Sequence, residues 1–354
     1  MRRSRLALLL VLLVCAAKAY SFYTEKPILT DFTVYETAAS LVREHRSLLM
    51  YNGADTGQDP QLRLADPNSL FAQQAQKLGI SEVRLYVSPP VLADLLLPFG
   101  FLSATTAGWV WTAVNAMTLA GVVWLLLRLF PVSWSPAGVM ALVFATAVFT
   151  PTMGCIYWGQ ITIVLLALWT VGVFCYVRGW VTGSALALAL ATSIKLTPLL
   201  AIVPFVLWKE WRWLRMYAVG LVVIFAGVVA LNGWACVEDC FRHVIPAMSA
   251  GVPNKANHSI ISELQQMYSA AKHGKTAAVD ARVFRLLTTV GKVIGLICIV
   301  GAAALIARWR ALTSPYTRAV VLGMIAMLSV LVSPVSWAHA YAICLLPLVL
   351  LWGE

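Results

Sequence analysis

Acidic residues are scarce in this chain: 15 Asp and Glu in 354 residues, against 26 Lys and Arg. Charged residues of both signs make up 12 % of it, about half of what a soluble globular domain carries. Hydrophobic residues make up 60 %, and the mean hydropathy is +0.81. That shortage of charge excludes a soluble domain. The ten-residue alternating strands of a membrane barrel are missing too. No HExxH, Walker A, GxSxG or DxD pattern occurs, which removes the soluble hydrolase and ATPase readings. The seven Cys have no metal-ligand spacing, so no metal is expected. Five lie in apolar segments as small hydrophobes. Cys236 and Cys240, in "CVEDC", would sit outside the cell, where a disulfide is one option.

What the chain does have is apolar runs. About 20 apolar residues cross the hydrocarbon core as a helix. The runs at 6–22, 105–128, 137–152, 158–177, 181–208, 213–232, 286–307, 317–333 and 340–352, with a shorter one at 88–102, predict an all-α polytopic transmembrane bundle. The expected total is about 9–11 membrane segments in one integral membrane domain, 1–354. Two polar stretches interrupt it, 23–88 and 233–285, and the first holds eight of the fifteen acids. The opening "MRRSRLALLLVLLVCAAKAY" reads as a cleaved signal peptide or a retained first helix; retention is the expectation.

The net charge of +11 does not point to nucleic acid, because inner loops of membrane proteins collect Lys and Arg. The expected partners are membrane lipids. The same rule puts Arg128, Arg178, Lys209 to Arg215 and Arg308 to Arg318 in the cytoplasm of a multi-pass cell (plasma or inner) membrane protein. Both polar stretches then lie outside. For this to hold, 181–208 must enter and return, turning at Lys195–Pro198. As one helix its 28 residues would stretch ~42 Å, long for one crossing, and Pro198 supplies a break. Segment 88–102 must dip in without crossing. Asp31, Tyr86 to Pro90, Gln160, Lys195, Asn257 to Ser259 and His339 then share one membrane face, where an outward cavity could form. No fixed-length repeat or matched pair of interrupted helices is present, which weighs against an inverted-repeat transporter.

Individual polar residues carry two readings each. Asp31, just past the first apolar run, is a solvated or helix-capping acid, or a general base whose pKa membrane-edge burial would raise. Lys195 interrupts an apolar run; it snorkels to the interface or meets a lipid phosphate. His339 is a packed histidine or the edge of a polar, aromatic pocket with Ser336 and Trp337. Gln160 opens a helix and could bond a neighbouring backbone. Asp94 has no assigned role.

Seven motifs in order, "DFTVY", "LLMYN", "YVSPP…LLLPFGFL", "WGQITIVLLAL", "GSALALALATSIKLTPLLAIVPFVLWKEWRW", "NHSI" and "SPVSWAHAYAICLLPL", resemble glycosyltransferase family 87 from about residue 28 to the end. These are polytopic GT-C-type enzymes that use polyprenyl-phosphate sugars, and the mycobacterial phosphatidylinositol mannoside mannosyltransferases belong with them. The resemblance implies Asp31 as catalytic base and Lys195 near the carrier phosphate. It also implies a functional His339. Expected beside these, with His339, are Gln160 and Tyr35 at the sugar or phosphate, and Tyr86, Asn257, Ser336 and Trp337 as acceptor or lipid contacts. The implied reaction is inverting transfer of a hexose, mannose foremost, from a polyprenyl-phosphate sugar to an extracytoplasmic glycolipid or glycan acceptor. No cofactor beyond that donor is implied. The family's Gly-Gln-x-Asn ends here in Thr162, and a second His is replaced by Ala340. The last apolar run is short where family members continue. A transporter or lipid-carrier flippase, and a truncated non-catalytic family member, stand as the alternatives.

Overall fold

The computed structural model describes residues 27–52, 65–129, 135–252, 254–273, 281–309 and 314–352. The run expected as a first span, 6–22, lies outside these residues. The chain folds as an all-α bundle, in order α1 (Thr30–Arg43), α2 (Leu70–Lys77), α3 (Pro90–Leu95), α4 (Ala104–Leu129), α5 (Pro136–Val148), α6 (Thr150–Trp158), α7 (Thr162–Val177), α8 (Val181–Ile194), α9 (Ile202–Leu207), α10 (Trp211–Asn232), α11 (Trp234–Asp239), α12 (Ile245–Ser249), α13 (Ile260–His273), α14 (Ala281–Arg308), α15 (Pro315–Leu331) and α16 (Leu345–Trp352). No strand forms among the described residues, though an isolated antiparallel bridge pairs Asn257 with Trp337.

Among the described residues α4, α10 and α14 are long and apolar enough to cross a membrane, and α5 with α6 makes a bent pair that could be a fourth span. Shorter apolar helices occupy 162–177, 181–194, 197–207, 315–331 and 338–351. The bend between α5 and α6 is 54°. Its cause is Pro151, which has no N–H to give to the preceding turn and fits the first turn of a new helix. The apolar run read as ending at 152 therefore stops at Val148, and the residues between it and the next run belong to helix α6.

The run 181–208 breaks at Lys195–Leu196, between α8 and a 3-10 turn at Thr197–Ala201 with Pro198 in its first turn. Segment 88–102 forms α3 and a 3-10 turn at Leu97–Phe101. Six helical residues rise ~9 Å, far less than a bilayer.

Connectivity gives the bundle two ends. Helix α7 leads from the end marked by Gln160 to that of Arg178, α8 leads back from Trp180 to Lys195, and the chain from Thr197 through α9 returns to Lys209. At the Arg178 end, Arg178 bonds the Arg128 carbonyl (3.1 Å). Arg318 donates to Glu210 (2.7 Å) and to the Tyr176 hydroxyl (2.6 Å) there, and lies over Trp208. Gln160 and Lys195 mark the opposite end.

Between the ends, α8, α9 and α10 are joined by a buried aromatic stack. Trp213 lies against Phe205 with centroids 3.7 Å apart and against Tyr217 at 4.9 Å. The polar atoms of that stack are satisfied, Trp213 Nε1 by Ser184 (3.0 Å) and the Tyr217 hydroxyl by Thr192 (2.7 Å). A paired polar atom avoids the cost of burying it unmet.

Candidate active site

Helix α1 begins at an unusual turn. Leu29 takes φ 54°, a left-handed conformation rare for its type, and its N–H is given to the Tyr157 carbonyl at 3.0 Å. Strained backbone of this kind gathers where geometry is held for function. It places Asp31 in the first turn of α1, where the helix dipole favours negative charge. The next residue, Phe32, is buried and stacks on Trp111 (5.3 Å) and edge-on to Phe99 (5.5 Å). Phe32 anchors one side of the turn while Asp31 faces the other way, into a cavity.

Gln160 reaches the same point by a second route. Helix α6 ends at Gly159, whose φ of +70° closes the turn and lets Gln160 donate its N–H to the Cys155 carbonyl (2.8 Å). A Cβ on Gly159 would stand 2.6 Å from the Phe32 Cβ, so glycine is needed for both conformation and space. The Gly159 carbonyl accepts from Trp111 Nε1 (2.9 Å), which locks the turn onto α4. The Gln160 amide then donates to Asp31 Oδ2 and accepts from the Tyr35 hydroxyl (3.2 Å). Arg84 stands 3.7 Å from Asp31 Oδ1. Burial pushes the Asp31 carboxyl above the usual aspartate range; the Gln160 hydrogen bond and the Arg84 charge pull it back. Burial also raises the Tyr35 phenol, with the Asp31 charge adding to it, so Tyr35 stays protonated and donates.

The cavity holds about 410 Å³, within the range of small-ligand sites. Asp31, Tyr35, Gln160, Lys195, Trp337 and His339 all line it, with Arg84, Ser88 and Thr197. Asp31 is its one carboxylate, and Arg84 and Lys195 its two cations, among the described residues. Lys195 arrives at the α8 break, where its extended backbone ends the helix. His339 is held from behind, because the Cys155 thiol of α6 bonds its carbonyl (3.3 Å). Thr162, where the family pattern has Asn, is buried and does not line the cavity.

Three residues expected as acceptor or lipid contacts sit in the wall and do not line the cavity. The Tyr86 hydroxyl donates to the Pro89 carbonyl (2.8 Å) and orients the "SPP" turn. Asn257 accepts from the Ser336 N–H (2.8 Å) and donates to the Val252 carbonyl (2.8 Å), both with its side chain. Ser336 caps the end of α15 by bonding the Val330 carbonyl. "NHSI" and "SPVSW" thus dock on each other, since His258 N–H also bonds the Ser336 carbonyl (2.8 Å) and the Ser259 hydroxyl bonds that of Pro334 (2.9 Å). That pairing presents Trp337 and His339 to the cavity. Cys236 and Cys240 are free thiols, and Cys240 joins the lining from the second polar stretch.

Sequence reasoning passed over Arg84. Its only signal was position, two residues before Tyr86 in "EVRLYVSPP". No three His, Cys, Asp or Glu side chains gather as a metal site among the described residues.

No curated protein matches the chain. The model of glycosyltransferase family 87 matches residues 86–334, taking in Gln160, Lys195 and Asn257, while Asp31 and Tyr35 precede the match and Ser336, Trp337 and His339 follow it. With seven-tenths of its length matched, and an all-α bundle of apolar helices around the site, the chain belongs to glycosyltransferase family 87 and is a membrane glycosyltransferase.

Proposed function

We propose that this enzyme moves a hexose, mannose foremost, from a polyprenyl-phosphate sugar to a glycolipid or glycan acceptor, inverting the anomeric carbon, with Asp31 as base. The observation that carries this reading is the placement of a single carboxylate beside Arg84 in one cavity that Lys195 also lines, in a chain of glycosyltransferase family 87. The cavity faces outward from the cell membrane in this reading. Supporting that side is the cluster of Arg128, Arg178, Glu210 and Arg318 at the other end of the bundle, together with the charge rule for inner loops.

The chemistry follows from the residues. An acceptor hydroxyl between Asp31 and the anomeric carbon loses its proton to Asp31 as its oxygen attacks. The sugar passes through an oxocarbenium-like state, as in glycoside hydrolysis. Charge grows on the departing phosphate, and Lys195 stabilises it. Gln160, fixed by Tyr35, keeps the Asp31 carboxylate turned toward the acceptor. Trp337 offers an aromatic face and His339 a ring nitrogen to the sugar or phosphate oxygens. Two cations supply the positive charge, so the reading calls for no metal and no cofactor beyond the donor lipid.

The test is a transfer assay in lipid nanodiscs with radiolabelled polyprenyl-phosphate mannose and a panel of envelope glycolipids. Wild type should label an acceptor, and Asp31→Asn should lose roughly 10²-fold or more of the rate while folding normally. Turnover by Asp31→Asn near the wild-type rate would remove Asp31 as base. Failure with mannose, glucose, galactose and arabinose donors alike would overturn the donor class.

A further inference from the structure

We propose that Arg84 keeps Asp31 ionised while the anionic donor is bound, and then shares the charge of the departing phosphate with Lys195. The inference deepens the transferase reading above and rests on it for the identity of the anion.

The geometry divides the carboxylate between two partners. Gln160 takes Oδ2, and Arg84 stands 3.7 Å from Oδ1. The other groups facing Asp31 are Tyr35 from its own helix, with Cys155 of α6 behind that ring, and Lys195 and His339 across the cavity. Of these, Arg84 and Lys195 are the cationic side chains; burial works against the charge on Lys195, and Arg84 is the one beside the carboxylate. A bound phosphodiester brings a second negative charge into the same cavity. Without a cation at Asp31, two like charges would compete, and the carboxyl would take up a proton. A protonated Asp31 cannot accept one from the acceptor. Arg84 has the freedom to serve both anions: it lies outside any helix, and its side chain is 37 % exposed.

Charge accounting along the reaction explains why two cations are present. Before transfer, Arg84 and Lys195 face one carboxylate and one phosphodiester anion. In the step, the acceptor oxygen bonds the anomeric carbon and its proton goes to Asp31. The bond from that carbon to the phosphate oxygen breaks, and the electron pair leaves with the phosphate. Afterwards Asp31 is neutral and the phosphate monoester carries close to two negative charges. Two cations match both states; Lys195 alone would leave either one with an uncompensated negative charge in the cavity.

The test follows Asp31 protonation directly and needs no turnover. A hydrophobic carbodiimide couples to protonated carboxyls, and peptide mass spectrometry reads its yield at Asp31 as a function of pH, with Asp31→Asn as the blank. Arg84→Gln should move the midpoint up by about one pH unit or more, and Arg84→Lys should stay near wild type. In wild type, 1 M salt should move the midpoint the same way, because Arg84 reaches solvent and the pair is partly screened; this arm holds even if a variant fails to fold. An unmoved midpoint in folded Arg84→Gln, or in wild type at high salt, would overturn the proposal. If the midpoint moves as expected but no donor supports transfer, the donor assignment fails and Arg84's hold on Asp31 stands.

Discussion

Replacing Gly159 by Ala should damage stability and activity together, because one turn serves both. Alanine at φ +70° costs about 1–2 kcal/mol in backbone strain alone. Its Cβ would stand 2.6 Å from the Phe32 Cβ and 3.1 Å from Leu29 Cδ2. The Leu29 methyl can swing aside, but the Phe32 Cβ does not yield easily, because its ring is wedged between Trp111 and Phe99. Overpacking of this kind adds roughly 1–3 kcal/mol. The total is about 2–5 kcal/mol, a large part of the stability of an ordinary domain. The clash also pushes the first turn of α1 away from Gln160, which opens the Asp31–Gln160 contact. Tryptophan-fluorescence melting in detergent, beside the transfer assay, reads both effects. Gly227→Ala is the control: it lies inside α10 with nothing within 4 Å of its Cβ site, and should be neutral or up to about 1 kcal/mol stabilising. If Gly159→Ala melts with wild type and transfers at its rate, the account of how this turn builds the site is wrong.

Glu36 makes stability depend on pH. It is buried in α1 with neither carboxylate oxygen bonded, and burial lifts its pKa to about 7. Between the ordinary glutamate value and pH 7 the unfolded chain has lost this proton while the folded chain keeps it, so stability falls as pH rises through that window and levels off above it. The loss by pH 8 is roughly 3 kcal/mol, and Glu36→Gln should flatten the slope and be more stable at pH 8; an unchanged slope by pH-dependent melting would refute the assignment. Asn257→Ala removes the Oδ1 that accepts from the Ser336 and Ser259 N–H groups and leaves both unpaired in a buried wall, which should cost roughly 2–4 kcal/mol. It should also loosen Trp337 and His339, so transfer should fall further than melting alone predicts; loss in step with melting would show that the wall does not position them.

Much of this protein was legible in the chain itself. Scarce charge and repeated apolar runs dictate an all-α membrane bundle, because hydrocarbon leaves backbone N–H and C=O groups no partners but each other. The break at Lys195 was legible too, since Pro198 cannot continue a helix and a lysine does not sit idly in an apolar run. Asp31, Gln160, Lys195 and His339 could be placed on one face by counting crossings. Counting could not show that Gln160 grips Asp31, or that Tyr35 grips Gln160 from 125 residues away, as their hydrogen bonds do. It could not place Pro151 as the start of α6 and the end of α5. Nor could it separate the residues that face the cavity from Tyr86, Asn257 and Ser336, which build its wall. Arg84 carried no pattern of its own. Periodicity and composition are properties of neighbours along the chain, whereas an ion pair across a cavity depends on where distant segments pack. The sequence by itself determined a membrane bundle and the end of it that holds the polar residues; only the tertiary structure decided which of them meet Asp31, because that contact is made by a left-handed turn at Leu29 and a glycine turn at Gly159 closing on each other.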